Sequence, residues 1–288
     1  MMACYLSTAA FPTRDLRKVL TTKIGRIGLE LSSGLDPIED PFALLQAAGD
    51  RRFLVHNYFP PTVEPFVLNL ASVDAVIHTR SVQLCRTAID LCRELGAPFY
   101  SVHAGFAMHM APDDLGRPAR QRQLGPAAFF DRDAAYQTFV ATVRDLAEYA
   151  RRQGLMLLIE NNVAALNNLD SFGTCPLLLA EVDELERFFQ DIDHSQVRLL
   201  LDVGHAKVSA RTFGISPESY FERLGPWIEA LHLSDNDGKS DTNLPFDASA
   251  WFFPYLAGCR GRTMVIEVTS QPLSRLQLLA GQLEPFLV

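Results

Sequence analysis

The chain is short of everything that would tie it to a disulfide framework, a bilayer or a nucleic acid. Only five of its 288 residues are cysteine. They stand scattered at Cys4, Cys85, Cys92, Cys175 and Cys259 with no C-x-x-C pair, which argues against a disulfide scaffold and against a thiolate zinc site. Long apolar runs are missing: Leu155 to Ile159 falls far below the ~20 residues that span a bilayer. The start, MMACYLSTAAFPTRDL, has no basic segment leading into an apolar stretch, so no secretory leader is expected and the chain reads as cytoplasmic, without a membrane partner. Basic charge is scarce as well. Against 34 acidic side chains there are 26 Lys and Arg, a formal net charge of −8, and a protein that neutralises phosphates carries a basic footprint instead. Nucleic acid is therefore not the expected partner; a small molecule is.

What is present is a hydrophobic share of 48%, enough for one large core. Eight short runs read as strands: Cys4–Thr8, Ile27–Leu31, Arg52–His56, Phe99–His103, Leu155–Glu160, Arg198–Asp202, Ala230–Ser234 and Met264–Val268. Amphipathic segments lie between them, among them Ser72–Leu95, Asp133–Gln153 and Pro176–Gln190. Ser72 is placed as an N-cap, and Gly96 and Gly154 as helix stops. Strand–helix alternation implies a parallel sheet with right-handed crossovers. Eight such units in a chain of this size predict an α/β fold, a (β/α)8 TIM barrel forming a single domain over 1–288. No Gly-x-Gly-x-x-Gly follows the first strand, which weakens the dinucleotide-binding alternative.

In such a barrel, chemistry sits at the C-terminal strand ends. Strand two ends on Glu30, strand three on His56, strand four on His103 and strand five on Glu160. Strand six gives Asp202 and then His205, strand seven His232 and strand eight Glu267. An apolar strand gains nothing by ending on an unpaired carboxylate. Carboxylates converging on one mouth repel unless a cation neutralises them. Glu160, Asp202, His232 and Glu267 form a mixed oxygen and nitrogen set suited to Mn, Co, Zn or Mg. A lone polar residue at a strand end is an ordinary rim residue, so His56 and Glu30 carry less weight than this quartet. His78, mid-helix, and His194, in a connection, read as structural or solvated. The long segment from Ala104 to Asp131, with Arg117, Arg120 and Arg122, reads as a solvated loop or as a lid for an anionic substrate. Phe106, Trp251 and Phe252 are either packing residues or an apolar wall.

The motifs H-x-G at His103–Gly105, IEN at Ile159–Asn161, LDVGH at Leu201–His205, HLSDNDG at His232–Gly238 and IEV at Ile266–Val268 resemble the xylose isomerase-like TIM-barrel superfamily. That superfamily includes AP endonuclease family 2, the endonuclease IV type, and sugar isomerases and epimerases. The resemblance implies that Glu160, Asp202, His232 and Glu267 hold a divalent metal, with Glu160 and Glu267 also catalytic as base and acid. It implies that His205 turns toward substrate, and that His56 and His103 hold a possible second metal, one or two ions per chain in all. A third metal in the endonuclease type is held by the strand-six histidine and an Asp-x-His pair. Here the stretch reads Asp241-Thr-Asn243 and continues FDASAWFF, which argues against a three-metal DNA-repair site.

The expected function is thus a divalent-metal-dependent isomerase or epimerase of a sugar or related polyhydroxy-carbonyl compound, working by proton transfer through a metal-stabilised enediolate. Glu30, His205 and Lys239 are the expected substrate-binding residues, and a homo-oligomer is possible. The alternative is a binuclear metallohydrolase or phosphodiesterase of the endonuclease IV type that uses His56 and His103.

Overall fold

The computed structural model describes residues 4–115, 125–169 and 174–287; Arg117, Arg120 and Arg122 lie outside them. Eight parallel strands close on themselves in chain order: β1 (Cys4–Ser7), β2 (Gly28–Leu31), β3 (Phe53–His56), β4 (Phe99–His103), β5 (Met156–Glu160), β6 (Val197–Asp202), β7 (Ile228–Leu233) and β8 (Thr263–Ile266). The TIM barrel predicted from the alternation is the fold observed, and its strands fall within two or three residues of the predicted bounds. Among the described residues the α-helices are α1 (Leu16–Thr21), α2 (Pro41–Gln46), α3 (Ala75–Leu95), α4 (Arg132–Arg152), α5 (Val182–Ile192), α6 (Val203–Phe213), α7 (Glu218–Leu224) and α8 (Leu273–Leu283). Alternation is not strict: β6 is followed by two helices, and the β7–β8 connection carries a 3-10 helix over Phe253–Cys259.

Two helix starts differ from expectation. Asp74 rather than Ser72 caps α3, its Oδ1 accepting from the amides of Val76 and Ile77 at 2.8 and 3.2 Å, while Ser72 Oγ accepts from the Asp74 amide. The carboxylate also faces the positive end of the helix dipole, which favours Asp over Ser there. Helix α5 begins at Val182 and not at Pro176, because the segment before it is tied to the β4 loop and then turns at Leu178–Leu179: Ala107 N–H donates to Pro176 O and Leu178 N–H to Gly105 O. Gly96 ends α3 with φ +66°, as the left-handed stop requires. His78 and His194 are structural, the first bonding Thr142 between α3 and α4, the second accepting from the Gln196 amide.

The interior is filled in layers. Tyr5, Leu54, Phe99, Leu158, Leu200, Ala230 and Val265 form one apolar layer, one residue from each of seven strands. The eighth position belongs to Gly28 on β2, where an added Cβ would stand 2.3 Å from the Tyr5 ring. Side chains on a strand alternate in direction, so the next inward position lies two residues on. Those residues are Ser7, Glu30, His56, Ser101, Glu160, Asp202, His232 and Glu267. The barrel interior changes from wholly apolar to wholly polar in one step of the pleat.

Outside the sheet, α3 turns Leu84, Cys85, Ala88, Ile89, Leu91 and Cys92 to the core at helical spacing, and α4 does the same with Phe139, Val143, Leu146 and Ala150. All five cysteines are buried. No helix of the described residues is long and apolar enough to cross a membrane.

Candidate metal centre

The polar layer is an almost solvent-free cluster. Glu30, Glu160, Asp202 and His232 have no exposed surface, His56 has 2%, and Glu267 retains 16% of its side chain. His232 stands at the hub. Its Nδ1 lies 2.7 Å from Glu267 Oε2, 3.2 Å from Glu160 Oε1 and 3.9 Å from Asp202 Oδ2. The other ring nitrogen, Nε2, is 3.0 Å from Glu30 Oε2. One ligand atom from each of Glu160, Asp202, His232 and Glu267 falls within 4.8 Å of all the others, so the quartet expected from four separate strands does converge.

Neighbouring segments are shaped to hold it. Asp202 divides its carboxylate: Oδ1 accepts from the His205 amide at 2.7 Å and caps α6, while Oδ2 is buried with no hydrogen-bond partner. The strand therefore ends on an aspartate for two reasons, a helix cap on one side and the cluster on the other. Gly204 is required next to it, because a Cβ there would come within 2.7 Å of Ser234 Oγ. Asn161 exchanges hydrogen bonds with the Asp202 backbone, accepting at 2.8 Å and donating at 3.1 Å, which locks the end of β6 to the end of β5. Asn162 donates to the carbonyls of Ala104, Gly105 and Leu178 and fixes the β4 loop in the same way. In the H-x-G motif, a Cβ on Gly105 would meet Ala71 Cβ at 2.5 Å.

A second group adjoins the first. His56 Nε2 and His103 Nε2 lie 3.2 and 3.4 Å from the same Glu160 Oε2, and His56, His103 and Glu160 satisfy the same proximity of ligand atoms. Ser101 Oγ, 3.0 Å from His56 Nδ1, fixes that ring. A third group joins Glu30, His56 and His232.

Electrostatics show what the cluster demands. Burial pushes the Glu160 carboxyl up to about 7 against the pull of His232, and the Asp202 carboxyl up to about 6 against that of His205. Burial acts against the His232 imidazolium, yet Glu267, Glu30 and Glu160 together hold its pKa well above the ordinary histidine range. The same contact, outweighing burial, holds Glu267 well below the carboxylate range. His103 is driven down to about 3 by burial and by His205, so it offers a neutral nitrogen. Without a cation, protons neutralise this cluster. Glu160 Oε2, Asp202 Oδ2 and Glu30 Oε1 nonetheless remain buried without a hydrogen bond. Such atoms cost free energy unless something positive faces them. Carboxylate oxygens and neutral imidazole nitrogens at this separation fit a divalent cation such as Mn, Co, Zn or Mg.

The cluster forms the floor of a cavity of about 550 Å³, into which His56, His103, His205 and Glu267 project. His205 Nδ1–H donates to Asn161 O at 2.8 Å, and Nε2 lies 3.3 Å from Asp241 Oδ2. Asp241 also lines the cavity; sequence reasoning quoted it only as half of an altered metal pair. Asn243, its companion, accepts from Ser234 Oγ at 3.0 Å. Two expected substrate contacts are placed elsewhere. Glu30, wholly buried with its Oε2 3.0 Å from His232 Nε2, does not line the cavity. Lys239 is exposed beside Arg211 and Leu166 in a separate groove; the β7 loop turns it outward, and the lysine that ties this loop to α6 is Lys207, bonded to Asp235 Oδ1 and Asn236 O at 2.6 Å. Glu160, fully buried, is likewise absent from the cavity wall. Of the three aromatics considered, Phe106 lines the cavity, whereas Trp251 and Phe252 pack against Phe221 and Phe246.

Residues 32–267 match the family model of the xylose isomerase-like TIM barrel. The chain belongs to that family. Fructoselysine 3-epimerase of Shigella flexneri is 22% identical over 187 residues, 64% of this chain and 55% of the relative, so the match spans only about half of the relative's length. A solved D-tagatose 3-epimerase-like protein superposes with a TM-score of 0.71 at 19% identity, covering 99% of this chain and 98% of the other. A D-psicose 3-epimerase from Clostridium cellulolyticum H10, solved with D-tagatose, gives 0.66 at 14% identity and 99% coverage of both chains. At these identities the structural likeness speaks to the fold alone.

Proposed function

We propose that this chain is a divalent-metal-dependent epimerase or isomerase of a sugar or related polyhydroxy-carbonyl compound. The observation that carries the reading is the convergence of Glu160, Asp202, His232 and Glu267 around one point at the floor of an open cavity, with Asp202 Oδ2 and Glu160 Oε2 lacking any hydrogen bond. The names of the relatives agree with it: they are sugar 3-epimerases. These four residues would hold the cation, which supplies Lewis-acid stabilisation of charge that develops on a carbonyl oxygen.

The chain's own groups account for the rest. Glu267, the quartet member that reaches the cavity, takes or returns the proton on carbon. Glu160, its carboxylate held by His56, His103, His205 and His232, would serve the opposite proton transfer. Such transfers are typically worth ~10²–10⁴-fold each. His205, held between Asn161 O and Asp241, orients a substrate hydroxyl. Glu30 fixes the His232 ring through Nε2 and leaves Nδ1 for the cation, as carboxylates behind metal-bound histidines commonly do. The test is deuterium wash-in: the metal-loaded protein in D2O should exchange the hydrogen next to the carbonyl of a ketose, followed by NMR. A ketose that is bound yet never exchanges would refute proton transfer at carbon.

A second reading has one observation in its favour. His56, His103 and Glu160 would hold another cation, as a binuclear phosphodiesterase requires. Two ions per chain, with release of a phenolate from an aryl phosphodiester and no deuterium exchange, would select it. Among the described residues, however, no Lys or Arg lines the cavity to meet a phosphate.

A further inference from the structure

One side of the cavity remains unused by the sugar chemistry. Above the histidines and carboxylates, Phe106, Met108, Met110, Leu115, Phe129 and Leu177 line a continuous apolar wall. The backbone builds it: Phe106 pairs with Leu177 as an isolated antiparallel bridge that joins the loops after β4 and β5, and Met108 pairs with Phe129 across the β4 loop itself. Phe106 and Met108 are packed, at 8% and 5% exposure, but Leu115 and Phe129 are 47% and 41% exposed. Large side chains left open toward a cavity imply an apolar occupant. A free sugar is a poor one. Only its C–H faces suit such a wall, and hydroxyls set against Phe, Leu and Met are left without partners.

We propose that the ligand of this cavity is a keto sugar or related polyol bearing an apolar substituent, aryl or alkyl. Its oxygen-rich end meets His56, His103, His205 and Glu267, and its substituent lies on the Phe106–Leu177 wall. The sugar half of this assignment rests on the epimerase reading; the substituent rests on the wall alone. Two methionines in the wall suit a ring or chain of variable shape, since the thioether side chain adapts its packing. The cationic side chains that would select a phosphorylated sugar are absent from the lining among the described residues.

The experiment is equilibrium binding to the full, Mn²⁺-loaded chain by calorimetry, comparing D-fructose with its set of mono-O-benzyl ethers. At least one ether should bind about 10–100-fold more tightly than the parent, the range that burial of a phenyl ring supplies. In Leu115→Ser and Phe129→Ser, chosen because both positions are open and their loss leaves the core intact, that ratio should fall toward one. Ethers that all bind no better than D-fructose, or fail to bind, overturn the proposal. So does a preference that survives both substitutions. Deuterium wash-in is recorded on the same samples as a separate readout. A binding preference without exchange leaves the ligand assignment standing and removes the epimerase reading; exchange of parent and ethers with equal affinity does the reverse.

Discussion

Two layers of the barrel interior, about 6.6 Å apart by the rise of two strand residues, come from the same eight strands and have opposite needs. The lower one, from Tyr5 round to Val265, is apolar. It stabilises the fold through burial, roughly 1.5–3 kcal/mol for each large side chain. The upper one carries four carboxylates and two histidines with orphaned oxygens at Glu30, Glu160 and Asp202. Alone it opposes folding, because charged groups are removed from water. The comparison teaches that the site is carried by the layer beneath it. Stability resides where no ligand is needed, so the mouth can hold a cluster whose buried carboxylate oxygens lack partners.

Mutations that separate the layers test this division. The largest effect belongs to the cluster itself. Asp202→Asn keeps an N-cap for α6 but loses the anionic ligand, so metal affinity measured by calorimetry should fall more than ~100-fold, beyond what outer partners contribute. Asp202→Ala should lose the metal equally and cost a further ~0.5–2 kcal/mol in urea unfolding, through the missing cap. Next comes the lower layer. Leu158→Ala should cost ~2–5 kcal/mol in unfolding free energy and leave metal stoichiometry per folded chain unchanged; a loss of metal in the folded variant would break the division.

Within the upper layer, Glu30 stands behind the His232 ring. Glu30→Gln should weaken metal binding about 10–100-fold, since it alters the group that sets the His232 ring. An unchanged metal affinity would reduce Glu30 to packing. The smallest effect is in pH. The folded-state pKa values of Glu160 and Asp202, about 7 and 6, lie above their unfolded values of 4.5 and 3.8. At these two carboxyls the folded, metal-free chain therefore holds more protons than the unfolded one between about pH 4 and 7, and their contribution to stability is lost as pH rises through that window. A bound cation replaces those protons. The gap in Tm between metal-loaded and metal-free protein should consequently widen from pH 5 to pH 8, and a constant gap would contradict the assignment.

Much of this was readable in the chain. Strand-end residues announce themselves because each interrupts an apolar run, as Asp202 does after Leu199-Leu200-Leu201, and the barrel follows from their number and spacing. Ser101 escaped notice because a serine inside a strand is ordinary, although counting two residues from Phe99 finds it. The position of Glu30 depends on a contact across the barrel, to His232, which spacing within one strand does not reveal. Lys239 and Asp241 are two residues apart in one loop, yet one points to solvent and the other to His205. Only the fold of that loop, tied down by Lys207, decides between them.

The claim on which all of this rests is that the upper layer holds a divalent cation, and metal content per chain tests it most directly. Elemental analysis of chelator-free protein, wild type beside Asp202→Asn, should find at least one Mn, Co, Zn or Mg ion per wild-type chain and a near-complete loss in the variant. Wild-type protein that stays metal-free at micromolar free ion, or a variant with unchanged content, would contradict it.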